Sequence, residues 1–246
     1  MDKAIVTDQL TRRFGDFIAT DAITFSVDRG EIFGFLGANG AGKTTAMRML
    51  CGLLKPSSGH AKVAGYDIAT QTELVKKNIG YMSQKFSLYE DLTVKENIRF
   101  YGGIYGLSNQ RIKEKTAQLL DKLQITKEAN QLVSSLPLGW KQKLAFSIAI
   151  LHDPSIVFLD EPTGGVDPVT RRQFWDLIYE AAHQNVTVFV TTHYMDEAEY
   201  CDRISMMVDG KIKALDTPRK LKEQFSAVSM NDVFLQLARQ QTVSNQ

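Results

Sequence analysis

The chain has 246 residues, 43% of them hydrophobic and 23% charged, which is enough to bury a sizeable core in one large domain or two joined lobes. Its 29 basic and 28 acidic residues leave a formal net charge of +1, which excludes a general electrostatic attraction to nucleic acid or anionic lipid. Only two cysteines occur, Cys51 and Cys201, far apart and without metal-like spacing, so a disulfide framework and a zinc site are excluded and reduced cytosolic thiols are expected.

In chain order, the opening MDKAIVTDQL lacks the apolar stretch of a secretory signal. EIFGFL (31–36) is a short apolar, aromatic run that reads as a strand, followed by a glycine-rich loop and a helix predicted from Lys43 to Leu54. NIGYMS (78–83), SIVFL (155–159) and NVTVFV (186–191) are further short apolar runs separated by helical patterns, which predicts an α/β sheet with parallel strands. Between about residues 85 and 152 the period becomes helical, with Ile112, Leu119, Leu120 and Leu123 on one face, so an inserted helical lobe is expected. ISMMVDGKIKAL reads as a hairpin through Asp209-Gly210. From Asp216 onward the chain grows polar, and a short helical extension with a frayed end is expected. No run reaches the roughly 18 apolar residues of a spanning helix, so a membrane role would need another chain in the bilayer.

Gly37-Ala38-Asn39-Gly40-Ala41-Gly42-Lys43-Thr44 fits G-x-x-x-x-G-K-[ST] at every specified position, with a strand before it and a helix after it. Glycines let backbone N–H groups converge on phosphate oxygens, while the helix start adds the positive end of its dipole. Lys43 is then expected to bridge the β and γ phosphates, Thr44 to coordinate Mg²⁺, and Thr45 to bind an adjacent phosphate. An Asn-Lys-x-Asp element for guanine is not seen.

The 155–159 strand ends in Asp160-Glu161, two carboxylates expected beside that loop: Asp160 to hold Mg²⁺, Glu161 to orient or deprotonate the attacking water. His193 follows the strand NVTVFVTT and is expected at the same sheet edge, within reach of the γ-phosphate. His60, His152 and His183 lie away from these motifs and read as ordinary surface or core residues.

Taken together, GANGAGKT, Gln84 after the NIGYMS strand, SIVFLDEP, GGVDP and TTHYMDEAE resemble the ordered motifs of an ABC-transporter nucleotide-binding domain, over about residues 4 to 215. The resemblance is to cassettes of the ABC-2 export class in particular. It implies an α/β P-loop NTPase fold: a RecA-like core with an antiparallel β subdomain (1–84 and 153–215), an inserted helical subdomain (85–152) and a C-terminal extension (216–246). It also implies ATP hydrolysis by a dimer of cassettes, coupled to an ABC-2 type transmembrane permease, with the chain peripheral on the cytoplasmic face and no nucleic-acid partner.

Carried over by position, Phe14 would stack on adenine, and Gln84 would reach Mg²⁺ together with Thr44 and Asp160. Asp167 would communicate across the dimer, although a helix cap explains it equally well. In KFSLYEDLTVKENI, Phe86, Leu88 and Tyr89 are candidates for contact with the permease, with internal packing as the alternative. A soluble ABC ATPase acting on DNA or the ribosome is the leading rival reading, and a nonhydrolysing regulatory module is a second.

The family signature Leu-Ser-Gly-Gly-Gln is replaced by Leu136-Pro137-Leu138-Gly139-Trp140, differing at the key positions Pro137 and Leu138. Proline removes a hydroxyl and an N–H yet suits the first turn of a helix, so one contact to a partner's γ-phosphate should be lost while the geometry survives. A hydrogen bond to a charged group is worth about 1.5 to 3 kcal/mol, so closure would weaken about tenfold to a hundredfold. Pairing with a second cassette of consensus signature would leave only one of two sites affected.

Overall fold

The computed structural model of the chain describes residues 3–84 and 88–244, with side chains up to residue 239. The chain opens with β1 (Lys3–Phe14) and β2 (Phe17–Asp28), a long antiparallel pair whose register shifts near Gln9 and Ala22, both at positive φ. Next come β3 (Ile32–Leu36) and α1 (Lys43–Leu50). The helix stops four residues short of the sequence expectation because Gly52, at φ +66, closes it. The Gly52 N–H bonds to the Met49 carbonyl (3.0 Å) and the Leu53 N–H to the Arg48 carbonyl (2.9 Å), the pairing of a Schellman end. β4 (Ser58–Val63), β5 (Tyr66–Asp67), α2 (Thr72–Asn78) and β6 (Ile79–Met82) follow.

After β6 come α3 (Val94–Ile104), α4 (Asn109–Lys122) and α5 (Leu138–Ala149). Thr93 and Glu96 form a capping box at α3, and Ser108 caps α4. Ile112, Leu119 and Leu120 are buried as their spacing predicts, and Leu123 is half-buried. The fully buried Asn97 amide ties the preceding turn to α3, accepting from the Tyr89 N–H and donating to the Tyr89 carbonyl, each at 2.9 Å. The end of α5 lies on β6: a Cβ at Gly80 would sit 2.1 Å from the Ala149 carbonyl oxygen.

The chain then returns through β7 (Ile156–Asp160), α6 (Pro168–His183), β8 (Thr187–Thr192), β9 (Arg203–Val208) and β10 (Lys211–Asp216). The predicted hairpin turn is present, with Asp209 and Gly210 both at positive φ. The larger sheet has strand order β10-β9-β3-β8-β7-β6, parallel except at the β10 edge, and the smaller one runs β2-β1-β4-β5, antiparallel throughout.

The parallel strands are buried on both faces, which is why they read as continuous apolar runs. One face carries Phe33, Phe35, Phe158 and Phe189, which join Phe25 of the small sheet in ring contacts of 5.3 to 6.1 Å and rest on α1. The other face carries Val157, Leu159, Val188 and Val190 against Phe146, Phe174 and Trp175 of the helices. The alternation follows the two-residue period of a strand.

The last segment is α7 (Pro218–Gln224) and α8 (Met230–Ser244). It is more than a trailing extension: Met230, Val233 and Leu237, at i, i+3 and i+7, enter the same core as the aliphatic face of the sheet.

Candidate functional site

Parallel pairing sets the carboxyl ends of three strands level: Leu36 lies opposite Thr192, and Thr191 opposite Asp160. The glycine-rich loop leaves β3 at this edge, where ligands gather in open α/β sheets. Gly42, at φ +102, starts α1, and a Cβ there would fall 2.1 Å from the Ala19 carbonyl oxygen of β2, so only glycine fits. Ala38, Asn39 and Gly40 form the exposed crest, and the Ala41 carbonyl accepts from the Gly210 N–H (3.1 Å), tying the loop to the β9–β10 turn.

Lys43 is buried, its ammonium donating to the Gly37 and Ala38 carbonyls at 2.8 and 3.1 Å and lying 3.5 Å from Glu161 Oε1. Burial lowers the Lys43 pKa, partly offset by the Glu161 carboxylate. The Thr44 hydroxyl donates to Asp160 Oδ1 (3.1 Å), as does Thr191 (2.6 Å), while Thr45 is half-buried in the first turn of α1. Burial raises the Asp160 pKa against the lowering effect of these two hydroxyls.

Glu161 takes φ +48 at the strand end, held by its N–H bond to the Thr191 carbonyl (3.1 Å). Its carboxylate is a meeting point: Lys43 faces Oε1, the Gln84 amide donates to Oε2 at 3.0 Å, and His193 Nδ1 lies 3.1 Å from that same oxygen, off the line of a hydrogen bond. Residues from four separate segments are thus brought together around one carboxylate.

Other expected residues lie outside this cluster. Phe14 stands half-exposed at the tip of the β1–β2 hairpin, with the Arg12 guanidinium 4.5 Å over its ring. The same β2 strand reaches the loop through Ala19. Asp167 caps α6, accepting from the Val169 and Thr170 N–H groups at 3.0 Å each. Phe86 lies outside the described residues. Leu88 is buried in the core, so of the three candidates for permease contact Tyr89 alone is an exposed described residue, with its ring 4.8 Å from the half-exposed Phe100.

Pro137 is the N-cap of α5, one position before the first turn where the sequence places it, and its carbonyl accepts from the Trp140 and Lys141 N–H groups at 3.0 and 3.1 Å. No side chain caps this helix, Leu138 is exposed, and Gly139 presses on α6, where a Cβ would meet Thr170 Cγ2 at 2.3 Å. Sequence reasoning missed Thr191, which steadies Asp160, and Gln142, whose buried amide donates to the Gly164 carbonyl at 3.1 Å. The doubled threonine before His193 was the available signal for the first.

The donor set fits a magnesium–triphosphate pair. The buried ammonium of Lys43 donates to two carbonyls and faces the Glu161 carboxylate, with Asp160 adding to the negative charge about it, and Thr44 with Asp160 offers the hard oxygens that Mg²⁺ prefers.

Comparison with known proteins agrees with the fold. A family model described as ABC transporter matches residues 20–164. The chain is 48% identical over 241 residues to the probable multidrug ABC transporter ATP-binding protein YbhF of Escherichia coli (strain K12), covering 96% of this chain but 42% of that protein. It is 33% identical over 237 residues to the linearmycin resistance ATP-binding protein LnrL of Bacillus subtilis (strain 168), covering 93% of this chain and 76% of that one. A solved ATP-binding subunit of an ABC transporter superposes with a TM-score of 0.86 at 27% identity, over 96% of this chain and 99% of that one. The architecture is therefore the expected α/β P-loop ATPase cassette with its added antiparallel sheet. With the family model covering more than half its residues and LnrL matched along most of both lengths, the chain belongs to the ABC transporter family as an ATP-binding cassette.

Proposed function

We propose that the chain is the ATP-binding and hydrolysing subunit of an ABC-2 type membrane exporter. The observation that carries this reading is the convergence of Lys43, Gln84 and His193 on the Glu161 carboxylate beside the phosphate loop. ATP is the substrate: residues 37–45 cradle its phosphates and Phe14 stacks on the adenine. Lys43 exchanges the Gly37 and Ala38 carbonyls for phosphate oxygens, which frees Glu161 to orient water and take its proton at a carboxylate oxygen. His193 holds that water toward the γ-phosphate. Thr44, Asp160 and Gln84 would hold Mg²⁺, which would supply charge neutralisation to the triphosphate.

The working units are a core (1–84 and 153–215), a helical subdomain (85–152) and an extension (216–246). Two cassettes close on ATP and reopen after hydrolysis, and closure moves a separate permease at the cytoplasmic face of the membrane. Among the described residues no helix is long and apolar enough to cross a membrane, which supports a separate spanning chain. Tyr89 and Phe100 are the surface offered to it. The altered start of α5 favours a second cassette of consensus signature as the dimer partner. No nucleic acid is involved: the near-neutral charge supports this, as does the relationship to proteins named for drug export and resistance.

Isolating the chain from detergent-solubilised membranes tests this reading. Recovery of a polytopic membrane protein in fixed ratio, with ATPase activity, is expected. Recovery with ribosomes or DNA, and no membrane chain, would overturn the export assignment.

A further inference from the structure

Glu197 is a fully buried carboxylate in the 3-10 turn Met195–Tyr200, which begins two residues after His193. Its Oε1 accepts from the Thr163 hydroxyl at 2.5 Å and from Trp175 Nε1 at 3.4 Å, and Arg171 Nε lies 3.8 Å away. Its Oε2 has no hydrogen-bond partner among the described residues. A buried carboxylate with one oxygen unsatisfied is a poor way to stabilise a fold, because desolvation is costly and only partly repaid. Such a group calls for a reason other than stability.

The three contacts supply one. Thr163, itself buried, lies two residues beyond Glu161 on the segment leaving β7, while Trp175 and Arg171 belong to α6. Arg171 also pairs with Asp196 (3.2 Å) and lies 4.3 Å over the Tyr194 ring, whose other neighbour is the His193 imidazole at 4.2 Å. From the opposite side the Gln142 amide holds the Gly164 carbonyl. The strand exit that carries Glu161 is thus pinned on one flank to α5 and on the other to the turn that carries His193.

We propose that Glu197 is a positioning residue which, through Thr163, fixes the distance between Glu161 and His193. This rests on the ATPase reading above. Loss of the contact lets the two residues drift without disturbing the phosphate loop, and misplacement of reacting groups by about 1 Å can cost on the order of a hundredfold.

The test compares Glu197→Ala, Thr163→Val and Thr163→Ser in the full chain. Turnover, ATP–Mg²⁺ affinity by calorimetry and the ¹⁵N imidazole signal of His193 would be measured, the signal being assigned by its disappearance in His193→Gln. The first two variants should lower turnover about 10- to 100-fold with affinity unchanged within about twofold, and should shift the His193 signal. Thr163→Ser should restore both, and the double variant should be no worse than either single one. Thr163→Val guards against misfolding of Glu197→Ala, since it removes the hydroxyl while keeping the shape. An unmoved His193 signal in Thr163→Val, or a parallel loss of affinity and turnover, would overturn the role of Glu197. Absence of turnover in the unmutated chain counts against the ATPase reading alone, and the His193 signal still decides the positioning role.

Discussion

The starts of α1 and α5 differ in a way that separates the two halves of the proposed composite site. Side chains cap α3, α4, α6 and α7 through Thr93, Ser108, Asp167 and Thr217, whereas α1 and α5, like the short α2 at Gln71, begin at Gly42 and Pro137 with no side-chain cap. Both therefore leave first-turn N–H groups free for an anion. Around α1 those groups sit among Lys43, Thr44, Asp160 and Glu161, a setting rich in charge. Around α5 they sit beside the exposed, apolar Leu138, while Lys141 of the same turn is paired with Glu90 at 2.9 Å. The first setting suits the binding and activation proposed for it; at α5 the exposed backbone dipole is worth about 0.3 to 1 kcal/mol.

Glu161→Gln strikes at the charged half. Turnover should fall about 100- to 1000-fold, the usual worth of a general base, while ATP binding persists or tightens because Lys43 loses a competing carboxylate. Comparable turnover would remove Glu161 from the chemistry. Pro137→Ser combined with Leu138→Gly addresses the apolar half: if self-pairing is limited by the missing hydroxyl, ATPase measured against protein concentration should rise about tenfold to a hundredfold. No rise would show the substitution to be tolerated and the contrast between the halves to be without consequence.

The smallest effect concerns stability. Burial raises the Asp160 pKa in the folded chain above its unfolded value, so its favourable contribution is full below the unfolded pKa and is lost as pH rises through the folded one. At neutral pH without nucleotide, Asp160→Asn should thus raise Tm by about 2 to 4 °C, for a gain of about 1 kcal/mol. Melts at pH 7.5 and pH 4.5 should show the larger gain at the higher pH; an equal gain at both would refute the burial argument.

Much of this was legible before the fold was known, and unevenly so. The strands around β3, β7 and β8 were readable because both faces are buried and polar residues cannot interrupt them. The first two strands were not singled out, since the shifts near Gln9 and Ala22 break the alternation on which such a reading depends. The helix predicted to Leu54 ends at Leu50 because Gly52, at positive φ, closes it, although Leu53 and Leu54 continue the apolar run. In the site, Lys43, Asp160 and Glu161 were readable from spacing because the loop and strand end are contiguous pieces of chain. The contacts of Gln84 with Glu161 and of Glu197 with Thr163 span 77 and 34 residues, and no local pattern reports a pairing made only by folding. The C-terminal helix was undervalued because the polar ending QQTVSNQ masks Met230, Val233 and Leu237, which share one face.

The bare Cα of Gly80 has an effect beyond its own strand. Because the tail of α5 rests directly on backbone there, strand and helix approach more closely than any side chain at residue 80 would allow. A methyl group at this position would meet the Ala149 carbonyl oxygen at 2.1 Å, so strand and helix would have to part. The close seat of α5 on β6 thus admits one residue type at position 80, the one with no side chain.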